Sequence, residues 1–339
     1  MALVPKITLD QIAQMAEVST ATVSRVINHH PHVREEVRER VRQIVQETGY
    51  HPNPAARSLA RQRSNIIGLV IPQAVQQLFI DPYFPLLIQG ITRACHENVY
   101  TASLYMFHSA EDTSLYSRIM RAHTFDGLIV TATQTGNPLV QQLLNDRVPF
   151  VMVGKYDNPQ VSSVDVDNIG GGYDAAQHLL SLGHRRVGII TGPDNNAAAN
   201  DRLRGYQNAL SERGIAIDEA LIACGEYTET GGYAAMQHLL PHQPEAVFAA
   251  SDTMARGALR ALHAAQIAVP EAIAVMGFDD LPDAATTQPP LTTIRQPIQR
   301  TGATAVELLR DILENGSDFP RQIKFPTELV IRESCGARQ

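Results

Sequence analysis

The chain has few cysteines, no long apolar run and no catalytic motif, and each absence removes a class of function. Cys95, Cys224 and Cys335 are odd in number and far apart in the 339 residues, which excludes a disulfide framework and suits a reducing compartment. No stretch approaches the roughly 18 apolar residues that suggest a bilayer span. The N-terminus lacks the charged start, apolar block and cleavage site of a secretory leader, so a cytoplasmic location and no membrane partner are expected. Motif spacing assembles no Gly-x-Ser-x-Gly elbow, zinc motif or paired catalytic Cys and His, so neither an enzyme nor a cofactor is expected. What remains is the composition of an ordinary folded protein, 44% hydrophobic and 19% charged.

The charge is unevenly placed. Net charge is −7, yet residues 1–63 carry nine Lys or Arg against six Asp or Glu, and the rest carries nineteen against twenty-nine. A basic head of +3 on an acidic body of −10 is repelled by DNA everywhere except at the head, which orients an approach to nucleic acid.

That head reads as helical. Thr8 is a good N-cap with Gln11 three residues on, and Ile12, Ala13 and Ala16 form an apolar stripe,. Ser19 caps a second helix whose inner side is Val23, Val26 and Ile27, leaving Thr20, Ala21, Ser24 and Arg25 outward. Two short helices joined by a tight turn form a helix-turn-helix, whose second helix enters a major groove. Val33, Val37, Val41, Ile44 and Val45 predict a third helix stopped at Gly49,. Residues 50–64 hold two prolines and then good helix formers with three arginines, a linker able to become a short helix.

From Asn65 short apolar runs alternate with amphipathic stretches: Ile66 to Ile71, Thr101 to Met106, Gly127 to Thr131, Phe150 to Val153, Val187 to Thr191, Ala246 to Ala250 and Ile273 to Phe278. The alternation predicts parallel sheets covered by helices, and the grouping of four runs before Asp165 and three after it predicts two lobes. Ligands of such sheets sit beyond the C-terminal strand ends, where Gln73, Gly154, Gly192, Ser251 and Asp279 fall,.

In combination, several motifs resemble those of the lactose/galactose repressor (LacI/GalR) family of bacterial transcription regulators, over nearly the whole chain. They are Val18-Ser19 with Thr22-Val23-Ser24-Arg25 and Asn28, Gly49-Tyr50 with Pro52-Asn53, and Ala56-Arg57-Ser58-Leu59. Further matches are Gly183-His184-Arg185, Arg202 three residues before Gly205-Tyr206, Ser251-Asp252, Gly277-Phe278-Asp279-Asp280 and Pro290-Leu291-Thr292-Thr293-Ile294. The resemblance implies an all-α helix-turn-helix headpiece over 1–50, a hinge over 51–63, and an effector-binding and dimerisation body over 64–339. The body is expected to be α/β, like a periplasmic binding protein, with two doubly wound parallel-sheet lobes: 64–165 with 297–324, and 166–296 with 325–339.

The resemblance also implies roles. Thr20, Ala21 and Arg25 face base edges, residues 53–61 form a hinge helix in the minor groove, and Leu59 is its wedge. The DNA-contacting set is then Thr8, Ser19, Thr20, Ala21, Thr22, Ser24, Arg25, Asn28, Asn53, Ala56, Arg57, Leu59 and Arg61. Paired hinge helices require a homodimer on a near-palindromic operator, and no heptad extension follows Glu328 to Ile331 to make a tetramer,. Three positions depart from the family: Gln11 for Asp, Glu17 for the turn Gly, and Arg34 for the Ser that caps helix three.

Asn196, Arg202, Tyr227, Ser251 and Asp279 stand where the family lines its cleft. Forked donors and acceptors beside a flat apolar face suit vicinal hydroxyls and the C–H side of a saccharide. Lys155, and Phe79 and Asp81 in a long loop over 73–83, extend the expected effector set. This loop and the run Val164 to Gly172 resemble those of glucoside-responsive members. A purine or a sugar phosphate is the competing ligand, and a sugar-binding protein for transport the competing class. The glycines 170–172 lack phosphate-loop spacing and read as helix-start packing, and His29, His30 and His32 lack partners at metal-ligand spacing,. An ion pair between Arg202 and Asp279 across the cleft is the structural alternative to a ligand site.

Overall fold

The computed structural model describes residues 7–28, 30–50, 63–74, 81–107, 115–122, 125–131, 138–316 and 319–337. Two compact units divide the chain, Met1–Ser64 and Asn65–Gln339.

The first unit holds α1 (Leu9–Met15), α2 (Thr20–Ile27) and α3 (Glu35–Thr48). Thr8 Oγ1 accepts from the Gln11 N–H at 3.3 Å while Gln11 Oε1 accepts from the Thr8 N–H at 2.9 Å, a reciprocal cap on α1,. Ser19 Oγ accepts from the Thr22 N–H at 3.2 Å and starts α2. Ile12, Ala13, Ala16, Val23, Val26 and Val41 are buried together, with Val33, Val37, Ile44 and Val45 packed against them. Arg34 supplies no side-chain cap to α3. The Arg38 guanidinium instead donates to the carbonyls of His30 at 3.2 Å and Val33 at 3.3 Å, closing the preceding loop.

The turn between α1 and α2 puts Glu17 at φ 51°. A Cβ in this left-handed region costs on the order of 1 kcal/mol that glycine avoids. Glu17→Gly is therefore expected to slow amide hydrogen exchange across α1 and α2 in the intact protein by roughly fivefold, the equivalent of about 1 kcal/mol. Unchanged or faster exchange would show that the turn carries no strain.

The second unit is built on two six-stranded sheets. Its elements are β1 (Ile66–Ala74), α4 (Tyr83–Glu97), β2 (Thr101–Phe107), α5 (Leu115–Ala122), β3 (Gly127–Thr131), α6 (Pro138–Asn145), β4 (Phe150–Val153), β5 (Ser163–Val166), α7 (Asn168–Ser181), β6 (Val187–Thr191) and α8 (Ala197–Glu212). They continue with β7 (Ile222–Cys224), α9 (Glu229–Leu239), β8 (Ala246–Ala249), α10 (Asp252–Ala264), β9 (Ala274–Asp279), β10 (Thr292–Arg295), α11 (Ile298–Asn315), β11 (Gln322–Phe325) and β12 (Glu328–Val330). Strand order is β11-β5-β4-β3-β1-β2 in one sheet and β12-β10-β9-β8-β6-β7 in the other. Pairing is parallel throughout except that β12 runs antiparallel to β10. The chain passes between the sheets after β5, after β10 and after β11, so each lobe is assembled from separated segments.

The seven apolar runs are β1, β2, β3, β4, β6, β8 and β9. Gln73 lies inside β1, which extends to Ala74, rather than beyond its end. The strands β5, β10 and β11 are four residues each and carry polar side chains, as in Thr292-Thr-Ile-Arg295, so hydropathy does not mark them.

One close approach positions the site. A Cβ on Gly172 would lie 2.3 Å from the Arg202 carbonyl oxygen, and one on Gly205 would lie 2.1 Å from that of Ile169. Helices α7 and α8 thus cross at backbone contact, which only glycine allows, and the crossing brings the start of α7 beside Arg202.

Candidate functional site

On α2, Val23 and Val26 face the core while Thr20, Ala21 and Arg25 are exposed and Thr22 and Ser24 half-buried. The two side chains expected to contact DNA from the caps, Thr8 and Ser19, hold the N-termini of α1 and α2. Asn28 donates through Nδ2 to the Ser24 carbonyl at 2.8 Å and closes the helix end. The outward set is a row of short polar groups with one guanidinium at the last turn, the shape and chemistry that a major groove admits. Asn53, Ala56, Arg57, Leu59, Arg61 and Phe79 lie outside the described residues.

In the second unit the strand ends converge on Arg202. It is buried at 5% exposure, and its Nε donates to Asn168 Oδ1 at 2.9 Å and its Nη1 to the Ala250 carbonyl at 2.6 Å. Nη1 also lies 3.5 Å from Asp279 Oδ1, and the guanidinium sits 3.6 Å above the Phe278 ring. Asn168 donates onward to Asp165 Oδ1 at 3.2 Å, and Gln296 Nε2 donates to Asp279 Oδ1 at 2.6 Å. The result is one buried relay, Asp165–Asn168–Arg202–Asp279–Gln296. Arg202 and Asp279 belong to the same lobe, so their pair does not bridge the cleft, as the structural alternative supposed.

The backbone around this relay is strained. Asp279 has φ 118° and Asp280 φ 56°. Asp280 is held there by Arg295 at 2.7 Å and Arg332 at 2.6 Å. Asp252, 1% exposed, accepts from the Thr293 hydroxyl at 2.6 Å and from the Leu281 N–H at 2.7 Å. Both carboxylates serve the scaffold that aims Asp279.

Tyr227, at φ 55°, lies against Gly192, where a Cβ would meet its ring at 2.3 Å. Its hydroxyl is buried and has no hydrogen-bond partner among the described residues, and burial pushes its pKa up to about 12. An unpaired buried hydroxyl is costly, and a ligand that pairs with it recovers that cost. Asp81 accepts from the Tyr83 N–H at 3.1 Å. Burial raises its pKa, opposed by that hydrogen bond, by Arg202 and Arg256, and by the Thr253 hydroxyl it faces. Burial likewise pushes the Tyr83 phenol up, with Asp279, Asp165 and Asp81 adding to the shift.

The remaining expected residues have visible local work. Ser251 Oγ accepts from the Met254 N–H at 3.2 Å and caps α10, and Asn196 Oδ1 accepts from the Ala199 N–H at 3.0 Å and caps α8. Lys155 Nζ lies 3.1 Å from Asp201 Oδ1, joining the turn after β4 to α8 in the other lobe. Asn168, Asp165, Tyr83, Asp201 and Gln296 were not expected from sequence.

Burial pushes Asp279 up to about 7, against the pull of Arg202. A carboxyl whose folded pKa is raised stabilises the fold fully below the unfolded value and loses that contribution as pH rises through the folded one. The thermal midpoint of the body is therefore expected to fall as pH rises from about 5 to 8, and Asp279→Asn to flatten this slope. An identical slope in that variant would place the titration elsewhere.

The geometry has the parts of a regulator, and comparison with known proteins agrees. Residues 8–53 match the model of bacterial regulatory proteins of the lacI family, and residues 176–335 that of a periplasmic binding protein-like domain. The HTH-type transcriptional regulator CelR of Thermobifida fusca is 38% identical over 332 residues, covering 96% of this chain and 98% of CelR. A solved transcriptional regulator CelR–cellobiose complex aligns with a TM-score of 0.76 at 36% identity, over 97% of this chain and 100% of that one. The HTH-type transcriptional repressor PurR of Escherichia coli is 34% identical over 333 residues, covering 96% of each. A lac repressor dimer bound to operator and an anti-inducer aligns with a TM-score of 0.88 at 26% identity, over 98% of this chain and 100% of that one. With a matching headpiece, a matching body and full-length relatives, this chain belongs to the lacI family of bacterial regulatory proteins and is a DNA-binding transcriptional regulator.

Proposed function

We propose that this regulator is a cytoplasmic homodimeric repressor of carbohydrate-utilisation genes, released from a near-palindromic operator by a neutral disaccharide of the cellobiose class. The observation that carries the ligand is the buried relay around Arg202 set beside the unpaired Tyr227 hydroxyl. It offers fixed donors and acceptors next to an aromatic face, as vicinal hydroxyls and a pyranose C–H face require. The likeness to a cellobiose-bound regulator supports the same class. Asn196, Ser251, Asp81 and Tyr83 would complete the walls, and Thr20, Ala21 and Arg25 would read the operator.

A purine fits less well, because Phe278 is fully buried beneath the Arg202 guanidinium and has no face left for a base. Ligand and operator need not touch for one to govern the other. The sugar must bind two lobe arrangements unequally, and the free energy by which it weakens operator binding equals that by which operator weakens sugar binding. At a hundredfold excess over Kd, cellobiose is expected to raise the thermal midpoint by about 5 °C and to release operator DNA. A shift with a purine and none with any disaccharide would overturn the saccharide reading while leaving the regulator intact.

A further inference from the structure

Three cations near the relay, Arg202, Arg256 and Lys155, are held by different partners. Arg202 is shared among Asn168, the Ala250 carbonyl and Asp279. Arg256 pairs with Glu229 at 3.4 Å and with Asp283. Lys155 is the most exposed of the three, with its side chain 38% accessible, and it reaches from the turn after β4 to Asp201 at 3.1 Å, with Asp157 at 3.8 Å. Asp201 is the residue before Arg202 on α8, and its charge is felt at Asp165 in the relay. Four carboxylates, Asp81, Asp165, Asp201 and Asp279, therefore stand around Arg202, and the nearby ammonium of Lys155 is held by Asp201.

Without Asp201 one negative charge would be lost and Lys155 would lose its nearer partner. The ammonium of Lys155 would stand beside the relay with only the exposed Asp157 at 3.8 Å, a compact point charge suited to a phosphate or carboxylate. We propose that Asp201 is a specificity-determining residue: by sequestering Lys155 it makes the site accept neutral saccharides and reject phosphorylated or acidic ones. Building the rejection from a repulsive wall and an engaged cation is selection against the wrong ligand rather than added affinity for the right one. Lys155, expected from sequence to bind the effector, thus acts by being withheld from it. Because the pair is partly exposed, its loss removes little folding stability, so the site remains in place when it is broken. The inference rests on the saccharide reading above.

The test is calorimetric titration of the intact protein and of Asp201→Asn with three ligands: cellobiose, its aldonate with a carboxylate at the reducing end, and its 6′-phosphate with the charge at the other end. Asp201→Asn is expected to raise the affinity for at least one anionic sugar relative to cellobiose by tenfold or more, and Lys155→Met added to it to abolish the gain. If cellobiose binds but the ratio is the same in both proteins, or the gain survives in the double variant, Asp201 does not set the selection. If the unaltered protein binds the anionic sugars better than cellobiose, the selection itself is absent. If it binds none of the three, the saccharide reading falls and the inference with it.

Discussion

Replacing Arg202 by alanine is expected to lower the unfolding free energy of the body by about 3–5 kcal/mol, because one partner of a buried ion pair is removed and the other left behind. Asp279 keeps Gln296 at 2.6 Å but loses its cation. Asn168 and the Ala250 carbonyl each lose a donor. The response to effector should vanish with the same substitution. To separate the two effects, Arg202→Met with Asp279→Asn removes both charges at once. That double variant is expected to regain most of the stability in urea unfolding, bind operator, and still fail to respond to cellobiose. A double variant that responds normally would make the relay a structural device only. An Arg202→Ala protein of unchanged stability would show that the pair is not desolvated in solution.

How much of this was legible in the chain depends on how local each cause is. The caps of α1 and α2 are contacts three residues apart, so Thr8, Gln11 and Ser19 announce themselves. The αL stop at Gly49 is likewise a property of one residue,. The glycines 170–172 read as helix-start packing, but the partners of two of them are distant in sequence: Gly171 lies against the Phe278 ring and Gly172 against the backbone of Arg202, thirty residues further on. For that reason nothing in the run Val164 to Gly172 marks Asn168. Its side chain meets Arg202 only because α7 and α8 cross at contact. Gln296 and Asp201 follow the same logic, since neither lies in a motif and each acquires its role from a partner brought by tertiary structure. Ser251 and Asn196 illustrate an ambiguity of a different kind. A small polar residue between a strand end and a helix start is what both a cap and a ligand contact require, so sequence names the position without dividing the two uses.

Arg25→Ala is expected to lower affinity for the preferred operator by about 10- to 100-fold, the loss of a base-reading contact of about 1–3 kcal/mol, while binding to unrelated duplexes falls far less. The placement of Arg25 makes the result interpretable, since it is exposed on α2 opposite the buried Val23 and Val26 and its removal leaves the core of the first unit whole. Arg61→Ala, at a position expected to meet phosphates, should weaken all sequences alike and reduce the slope of log affinity against log salt by about one. Both are measured by fluorescence anisotropy at several salt concentrations, against an operator selected from random duplexes and a scrambled control. The two variants test one division of labour, in which side chains on α2 carry sequence discrimination and the arginines beyond Tyr50 carry charge. If Arg25→Ala loses affinity equally for operator and control, α2 contacts only the backbone. Base reading would then have to be assigned to other residues of the exposed face, Thr20 and Ala21 first.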